Sequence, residues 1–291
     1  MTKGFPFGLG TALITPFDEN GAIDYEALKR LLNIQLQGGV DYIVVLGTTG
    51  ETATLSEEEQ AQVRTFIANY TRHANLPLVL GLGGNNTAAV IAKITALKEE
   101  LTANYKAILS VCPYYNKPSQ EGLFQHFCAI ADASPIPVIL YNVPGRTGVN
   151  LLPETAMRIY NARPNQVIGI KEASGNLEQI KKLITLAQNT NLHVISGDDG
   201  LTADIMQAGG TGLISVLSNA YPKEAAQLVH NADKALQQQL EPLIALLFKE
   251  GNPAGIKTVL TKKGVISNCL RLPLVPNSVQ VQAAIAECIS Q

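Results

Sequence analysis

Residues 166–172 have the sequence QVIGIKE, an apolar run that ends in a lysine and a glutamate. Such near-continuous apolar runs are typical of strands that are buried on both faces, as in a parallel sheet. The chain contains seven more runs of this kind, which are LGTALIT (9–15), DYIVVLG (41–47), LPLVLGL (76–82), KAILSVC (106–112), IPVILYN (136–142), LHVISG (192–197) and GLISVL (212–217).

The eight runs begin 20 to 35 residues apart, and one strand–helix unit of a barrel needs roughly 30 residues. The segments between them carry helix signals. Asp24 is a candidate N-cap for a helix with Leu28 and Leu32 on one face, and Ser56 with Glu59 forms a capping-box pattern. Eight alternations are compatible with a closed barrel or a large doubly wound sheet. Their count and regular spacing favour an α/β fold of the (β/α)8 TIM barrel type with appended C-terminal helices.

The pattern changes after Tyr221-Pro222. Residues 223–291 show the leucine, alanine and isoleucine spacing of helices, and no Gly/Ser/Pro-rich linker separates them from the preceding chain. We therefore predict a (β/α)8 barrel over residues 1–222 and a C-terminal helical extension over residues 223–291 that packs on the barrel.

Composition excludes several classes of protein. Apolar residues make up 46% of the 291 residues and charged residues 16%, which suffices for a large core and is unlike a disordered chain. The net charge of −2 and the lack of Lys/Arg clusters argue against nucleic acid and membrane surfaces as partners. The sequence contains no run of about 20 apolar residues, so no membrane span is predicted. Without a signal-peptide layout or a CxxC pair among its four cysteines, the protein is expected to be cytoplasmic with free thiols.

Lys171 is the clearest candidate for a catalytic residue. Barrel enzymes carry their sites at the C-terminal ends of the strands, and Lys171 ends the apolar run VIGIK. Burial disfavours an ammonium and so frees an amine to attack a carbonyl and form a Schiff base. The alternative is that Lys171 pairs with a carboxylate such as Glu172 at the rim of the barrel.

Other strand ends also carry polar groups that suit this chemistry. The turn GTTGE (47–51) offers backbone N–H groups and two hydroxyls to a carboxylate. Tyr141 can move a proton, and the planar guanidinium of Arg146 suits a second carboxylate. Each has a structural alternative, namely an ordinary glycine turn, a packed tyrosine with a satisfied hydroxyl, and a loop arginine in a surface ion pair.

The sequence contains little that would indicate a metal site, a nucleotide-binding site or a catalytic serine. The four histidines have no metal-ligand spacing, and GLGGNN (81–86) lacks the last glycine of a dinucleotide fingerprint. No P-loop or G-x-S-x-G motif is present. The adjacent Asp198 and Asp199 suggest a divalent ion or, more commonly, a cap at the start of a helix.

Five motifs, in this order, resemble the dihydrodipicolinate synthase family: GTTGE (47–51), PYYNKPSQEG (113–122), YNVPGRTG (141–148), IKEASGN (170–176) and SGDDG (196–200). The resemblance runs from about residue 9 to residue 220 and continues more loosely through the C-terminal helices. GTTGE with the lysine of the sixth strand is typical of the wider group of pyruvate-dependent lyases and aldolases. Arg146 favours the synthases, because sialic-acid aldolases usually lack it.

The resemblance implies condensation of pyruvate with L-aspartate-4-semialdehyde to 4-hydroxy-tetrahydrodipicolinate, the first committed step of lysine and diaminopimelate biosynthesis. It implies no metal or organic cofactor, because the imine itself serves as the electron sink. It also implies a homo-oligomer, a tetramer built as a dimer of dimers.

The family's residue roles carry over to matching positions. Lys171 would form the imine with pyruvate, and Tyr141, Thr48 and Tyr115 would relay protons, with Tyr115 reaching in from a neighbouring subunit. The implied substrate-binding residues are Thr49 and the backbone of Ile214 for the pyruvate carboxylate, Arg146 for the carboxylate of the semialdehyde, and Gly197.

One departure from the family concerns inhibition by lysine. Asn85 and Tyr114 match the effector site of regulated relatives, but Glu57 and Gln60 stand where those relatives commonly carry a histidine or similar group. Ala89 stands where they carry a glutamate, so the lysine ammonium loses a charge-assisted partner. The sequence predicts weak or absent lysine inhibition.

Two other functions stay open. An aldolase of the same family that acts on N-acetylneuraminate or a 2-keto-3-deoxy sugar acid would share Lys171 and the Thr48–Thr49 pair. Arg146 and the adjacent Tyr114 and Tyr115 argue against it. A barrel without activity that binds a small acid would be expected to have lost some of these chemical groups.

Overall fold

A computed structural model describes residue 5 and residues 7–290. Eight parallel strands form a closed barrel in chain order, and the first strand pairs with the eighth, with Leu9 opposite Leu213. The predicted (β/α)8 barrel is therefore confirmed. The strands are β1 (Leu9–Ala12), β2 (Tyr42–Val45), β3 (Leu78–Gly81), β4 (Ala107–Val111), β5 (Val138–Asn142), β6 (Val167–Glu172), β7 (His193–Ser196) and β8 (Gly212–Ser215).

Thirteen α-helices occur in the described part of the chain, and most of them surround the barrel. They are α1 (Tyr25–Gly38), α2 (Glu57–Thr71), α3 (Thr87–Ala96), α4 (Lys98–Asn104), α5 (Gln120–Ala133), α6 (Pro144–Thr147), α7 (Pro153–Ala162), α8 (Leu177–Ala187), α9 (Thr202–Gln207), α10 (Pro222–Asn231), α11 (Lys234–Phe248), α12 (Ala254–Lys262) and α13 (Val279–Ser290). None of these helices is long and apolar enough to cross a membrane.

Successive strand residues enter two separate apolar cores, which is why the strand sequences are apolar almost without interruption. Val44 and Ile139 belong to the cluster inside the barrel. Their neighbours Ile43 and Leu140 belong to the larger cluster between the strands and the helices. Because Tyr141 lies in the inner cluster and is paired with Lys171, both side chains belong to the interior face at the C-terminal ends of β5 and β6.

The two predicted helix starts are present. The Asp24 side chain accepts a hydrogen bond from the backbone N–H of Ala27 at 2.9 Å at the start of α1. Ser56 and Glu59 form the reciprocal capping box of α2. These bonds satisfy backbone N–H groups that have no partner within the helix.

The C-terminal helices follow the last strand. α10 packs against α1, α9 and β1 and so belongs to the ring of helices around the barrel, while α11, α12 and α13 pack on one another. The division into residues 1–222 and 223–291 stays a prediction. The four cysteines are free thiols.

Candidate active site

A cavity of about 560 Å³ opens at the C-terminal ends of β2 to β5. Three of the predicted site residues line it, namely Thr48, Tyr141 and Arg146. Part of its wall comes from the C-terminal region, because Asn252 and Leu274 also line it. The cavity therefore lies where barrel enzymes place their sites.

Lys171 lies next to this cavity at the end of β6. Its side chain is 6% exposed, and its Nζ lies 4.4 Å from the centre of the Tyr141 ring. No salt bridge joins Lys171 to a carboxylate within the described residues. Glu172 follows on the opposite face of the strand, where its carboxylate accepts hydrogen bonds from Asn142 Nδ2 at 3.1 Å and the backbone N–H of Ser174 at 2.9 Å. The predicted alternative of a Lys171–Glu172 ion pair is therefore not what the structure contains.

Gly197 leaves the space that the Lys171 side chain occupies. A Cβ atom at position 197 would lie 2.9 Å from Lys171 Cε and 2.7 Å from Ala173 Cβ. Both distances are shorter than real carbon–carbon contacts, so a larger residue would displace the lysine. The lack of a side chain at position 197 thus allows the Lys171 amine to take its observed position.

The GTTGE motif forms a short 3₁₀ helix, Thr48–Gly50, directly after β2. Thr48 is exposed and lines the cavity, whereas Thr49 is buried. The Thr49 hydroxyl accepts a hydrogen bond from Asn252 Nδ2 at 2.9 Å. The Thr49 hydroxyl donates to no acceptor among the described residues, so its proton is available to a carboxylate.

Asn252 is a site residue that the sequence did not reveal. It lies between α11 and α12, more than 200 residues from Thr49 in the chain. Its backbone carbonyl also accepts a hydrogen bond from Arg146 Nη2 at 3.2 Å. One residue thus holds both candidate carboxylate-binding side chains. The only local signal was an Asn-Pro dipeptide, which indicates a turn rather than a binding site.

A buried ion pair anchors the GTTGE turn to the C-terminal helices. Glu51 ends the turn in the left-handed region, at φ 52°, and pairs with Lys257 of α12. Burial lowers the pKa of Lys257, and the adjacent Glu51 carboxylate opposes that shift. The backbone N–H of Arg271 donates to Glu51 Oε2 at 3.1 Å. The Arg271 guanidinium in turn binds both oxygens of Glu59, at 2.7 and 2.6 Å.

Tyr115 and Ile214 lie apart from the cavity wall. Tyr115 is 89% exposed, with a positive φ of 74°, whereas the preceding Tyr114 lines the cavity. Ile214 is buried in the inner cluster of the barrel. The role of Tyr115 in a neighbouring subunit and the role of the Ile214 backbone stay predictions.

The adjacent aspartates after β7 cap neighbouring backbone. Asp198 accepts from the N–H of Gly200 at 2.9 Å. The buried Asp199 accepts from Ser215 Oγ at 2.5 Å and from the backbone N–H of Val216 at 3.0 Å. Burial raises the pKa of Asp199, and the hydrogen bonds from Ser215 and Val216 oppose that shift.

The sequence profile of the dihydrodipicolinate synthetase family matches residues 6–291. The chain belongs to the dihydrodipicolinate synthetase family. One member is the 4-hydroxy-tetrahydrodipicolinate synthase of Parabacteroides distasonis, which is 47% identical over 291 residues, covering 98% of this chain and 96% of the relative. A protein of the same name from Thermotoga neapolitana is 44% identical over 280 residues, covering 93% of each chain.

Solved structures of dihydrodipicolinate synthetase family members share the fold. The dihydrodipicolinate synthase of Thermotoga maritima is 39% identical, with a TM-score of 0.92 over 98% of this chain and 97% of that one. The chloride-inhibited dihydrodipicolinate synthase of Acinetobacter baumannii, complexed with pyruvate, is 38% identical, with a TM-score of 0.92 over 98% of both chains. These similarities extend over the barrel and the C-terminal helices alike.

Proposed function

We propose that this protein condenses pyruvate with L-aspartate-4-semialdehyde to give 4-hydroxy-tetrahydrodipicolinate, the entry to lysine and diaminopimelate biosynthesis. The proposal rests on Lys171, a buried lysine without a carboxylate partner in the described chain, beside Tyr141 at a cavity that Arg146 also lines. The names of the relatives from P. distasonis and T. neapolitana support the same reaction.

The reaction begins at the Lys171 amine. The neutral amine attacks the C2 carbonyl of pyruvate, and loss of water leaves an imine. Loss of a C3 proton then gives an enamine, because the protonated imine nitrogen takes up the electron pair. The enamine carbon attacks the aldehyde of the second substrate. Finally, the substrate amine replaces Lys171 at C2, which closes the ring and frees the lysine.

Hydroxyl groups transfer the protons in these steps. Tyr141 lies beside the lysine, Thr48 lines the same cavity, and Tyr115 of a neighbouring subunit completes the proposed relay. Neutral hydroxyls suit this task because a further full charge beside the amine would change its protonation.

Two groups hold the carboxylates of the two substrates. Thr49, oriented by Asn252, and the backbone of Ile214 bind the pyruvate carboxylate, and Gly197 keeps the adjacent space open. Arg146 binds the carboxylate of the semialdehyde with the guanidinium N–H groups that Asn252 leaves free.

The proposed assembly is a homotetramer built as a dimer of dimers in the cytoplasm. A dimer is the smallest active unit in this proposal, because Tyr115 of one subunit would serve the site of its partner. The strong exposure of Tyr115 supports this arrangement. We also propose weak or absent inhibition by lysine, since Ala89 offers no carboxylate to its ammonium; strong inhibition at sub-millimolar lysine would contradict this.

Borohydride trapping tests the central step. The protein is incubated with pyruvate, reduced with borohydride, digested and analysed by mass spectrometry. A pyruvyl adduct on the peptide that carries Lys171 is expected, and Lys171→Arg should abolish it. No adduct on folded protein would remove the imine mechanism and favour a barrel that only binds a small acid. Parallel assays with aspartate semialdehyde, N-acetylmannosamine and short sugar aldehydes then separate the synthase from an aldolase.

A further inference from the structure

A buried carboxylate lies directly behind the proposed reacting groups, on the outer face of the barrel strands. Lys171 is opposite Tyr141 in the pairing of β6 with β5, and the next pair along these strands is Glu172 opposite Asn142. Because side chains alternate along a strand, Glu172 and Asn142 point away from the barrel interior and towards the helices. Neither residue takes part in the proposed condensation, so their place next to the reacting pair needs an explanation of its own.

Glu172 receives hydrogen bonds from neutral groups only. Its side chain is fully buried, and no basic residue within the described part of the chain forms a salt bridge with it. Asn142 Nδ2 lies 3.1 Å from each carboxylate oxygen, the backbone N–H of Ser174 donates at 2.9 Å, and Gln179 Nε2 donates at 3.3 Å. Burial raises the pKa of Glu172, and these hydrogen bonds oppose that shift. Because burial of a carboxylate without a cation costs free energy, stability alone does not explain this residue.

Asn142 connects the Glu172 carboxylate to the loop that carries Arg146. Its Nδ2 also donates to Asn150 Oδ1 at 2.8 Å, and its Oδ1 accepts from the backbone N–H of Leu151 at 2.9 Å. The segment between these partners contains α6 and Arg146. The Asn142 side chain thus closes the base of this loop and holds the end of β6 at the same time.

Gln179 of α8 completes the hydrogen-bond network from the helical side. It exchanges two hydrogen bonds with Asn150, at 2.7 and 3.1 Å, in addition to the one that it donates to Glu172. The backbone carbonyl of Glu172 accepts from the N–H of Gly197 at 2.8 Å, which adds the end of β7. Groups from β5, from the loop after β6 and from α8 therefore share one acceptor, and a shared acceptor fixes their relative positions.

We propose that Glu172 and Asn142 are positioning residues for the reaction. They set the distance between the Lys171 amine and the Tyr141 hydroxyl, and they orient the loop that carries Arg146. The inference rests on the proposed condensation. The two side chains touch neither substrate and act through the strand ends that they join.

Proton transfer at C3 of the pyruvate imine is the step that should depend most on this network. It needs the imine on Lys171 and the Tyr141 hydroxyl in a fixed relative position. Binding of the pyruvate carboxylate should depend on it much less, because Thr49 and Asn252 lie outside the network.

Deuterium exchange at C3 of pyruvate isolates this step. In D₂O without aspartate semialdehyde, the imine loses a C3 proton to the relay, the enamine takes up a deuteron, and hydrolysis releases deuterated pyruvate. Loss of the methyl signal in ¹H NMR measures the rate. Glu172→Gln should slow the exchange about tenfold, as expected for a misplacement of less than about 1 Å, while the pyruvate concentration for half-maximal exchange changes less than about twofold.

A swapped pair separates positioning from a general loss of stability. Asn142→Asp alone places two carboxylates face to face and should slow the exchange further than E172Q. The double variant N142D/E172Q again places a donor opposite an acceptor and should recover most of the lost rate. Thr11→Val is the matched control, because it removes buried hydrogen bonds to Gln35 and Ser218 at the outer face of β1, on the opposite side of the barrel. It should lower the urea midpoint and keep the exchange rate.

Gln179→Met covers the case in which E172Q does not fold. It removes one donor from a half-buried position and should slow the exchange in the same direction, but less. Unchanged exchange in folded E172Q or Q179M, no recovery in the swapped pair, or equal slowing in Thr11→Val would overturn the inference. Wild-type protein that neither exchanges deuterium nor forms the borohydride adduct would contradict the proposed function itself, and this inference with it.

Discussion

The Lys257 ammonium and the Glu51 carboxylate form an ion pair in which both side chains are 0% exposed. Lys257 also donates to the backbone carbonyl of Cys269 at 2.9 Å and lies 4.3 Å from the centre of the Phe17 ring. The pair joins the turn that carries Thr48 and Thr49 to α12. It therefore couples the position of the carboxylate-binding turn to the packing of the C-terminal helices.

Removing one partner of this pair should be costly. Lys257→Met leaves a buried carboxylate without a counter-charge, so the free energy of unfolding should fall by about 3–5 kcal/mol. The double variant E51Q/K257M should recover most of this loss, because no charge remains buried. Urea unfolding at fixed protein concentration measures both. Lys182→Met, which breaks an exposed pair with Glu154, is the control and should resemble the wild type. Equal losses in K257M and the double variant would contradict the argument.

The Glu59–Arg271 contact predicts a specific dependence of stability on pH. Hydrogen bonds from the Arg271 guanidinium lower the pKa of Glu59 to about 2. An unfolded glutamate has a pKa of about 4.3, so the folded state binds this proton less readily than the unfolded state. The stabilisation is present above about pH 4.3 and is lost as the pH falls towards about 2.

Glu59→Gln tests this dependence. The variant should be less stable than the wild type at pH 6, and the difference should shrink steadily as the pH falls from 5 to about 2. The shift of the urea midpoint across this range measures it. Glu58→Gln is the control, since Glu58 is exposed in the first turn of the same helix and forms no salt bridge within the described residues. A difference between E59Q and wild type that does not change with pH would show that the charge of the Glu59 carboxylate does not contribute to stability, since glutamine keeps the capping box.

Gly197→Ala should displace the Lys171 side chain, because the new methyl carbon would lie 2.9 Å from its Cε. A displacement of the reacting amine by about 1 Å is expected to lower kcat/KM about a hundredfold. Borohydride trapping of pyruvate should slow in parallel. Gly200→Ala lies three residues away in the same loop, where the added carbon makes only ordinary contacts, the shortest 3.4 Å to Asp198 Oδ1. It should keep near-normal activity; equal losses in both variants would instead indicate a general effect on the loop.

The sequence predicted the barrel because strands that are buried on both faces have nearly continuous apolar sequences, which can be recognised locally. It also placed Tyr141 and Lys171 together, since neighbouring parallel strands bring their ends to the same rim. No comparable local pattern predicted the contacts of Asn252 and Lys257. Their contacts with Thr49 and Glu51 arise when the C-terminal helices fold back across some 200 residues of chain, and no spacing rule predicts that return.

Arg64 illustrates a second limit of the sequence. It stands among the glutamates and glutamines of α2, where an arginine is commonly a solvated surface residue. Only the packing of α2 against the α3–α4 region turns it inward, with Glu100 as its partner. A buried cation of this kind is visible only once the helices have been placed.

Asn252→Ala should affect the two substrates differently. It removes the donor to the Thr49 hydroxyl but keeps the backbone carbonyl that binds Arg146. Loss of one hydrogen bond should raise the KM for pyruvate about five- to tenfold, with little change in the KM for aspartate semialdehyde. Steady-state kinetics with each substrate varied in turn measures this. Asn231→Ala, at an exposed position that ends α10, is the control. A rise in the semialdehyde KM alone would show that Asn252 acts through Arg146.

Subunit exchange tests whether Tyr115 serves the partner's site. Lys171→Ala and Tyr115→Phe should each be nearly inactive alone, the first without an amine and the second without the relayed hydroxyl. In a mixed dimer, the site that keeps Lys171 receives an intact Tyr115 from the other subunit. A two-fold interface exchanges the same residue in both directions. About half of the randomly formed dimers are mixed, and one of the two sites in each mixed dimer is active. Random mixing should therefore restore about a quarter of the wild-type activity. Native mass spectrometry establishes that the subunits have exchanged. No recovery in a demonstrably mixed sample would mean that Tyr115 serves the site of its own chain, and full activity of Tyr115→Phe alone would mean that it serves neither.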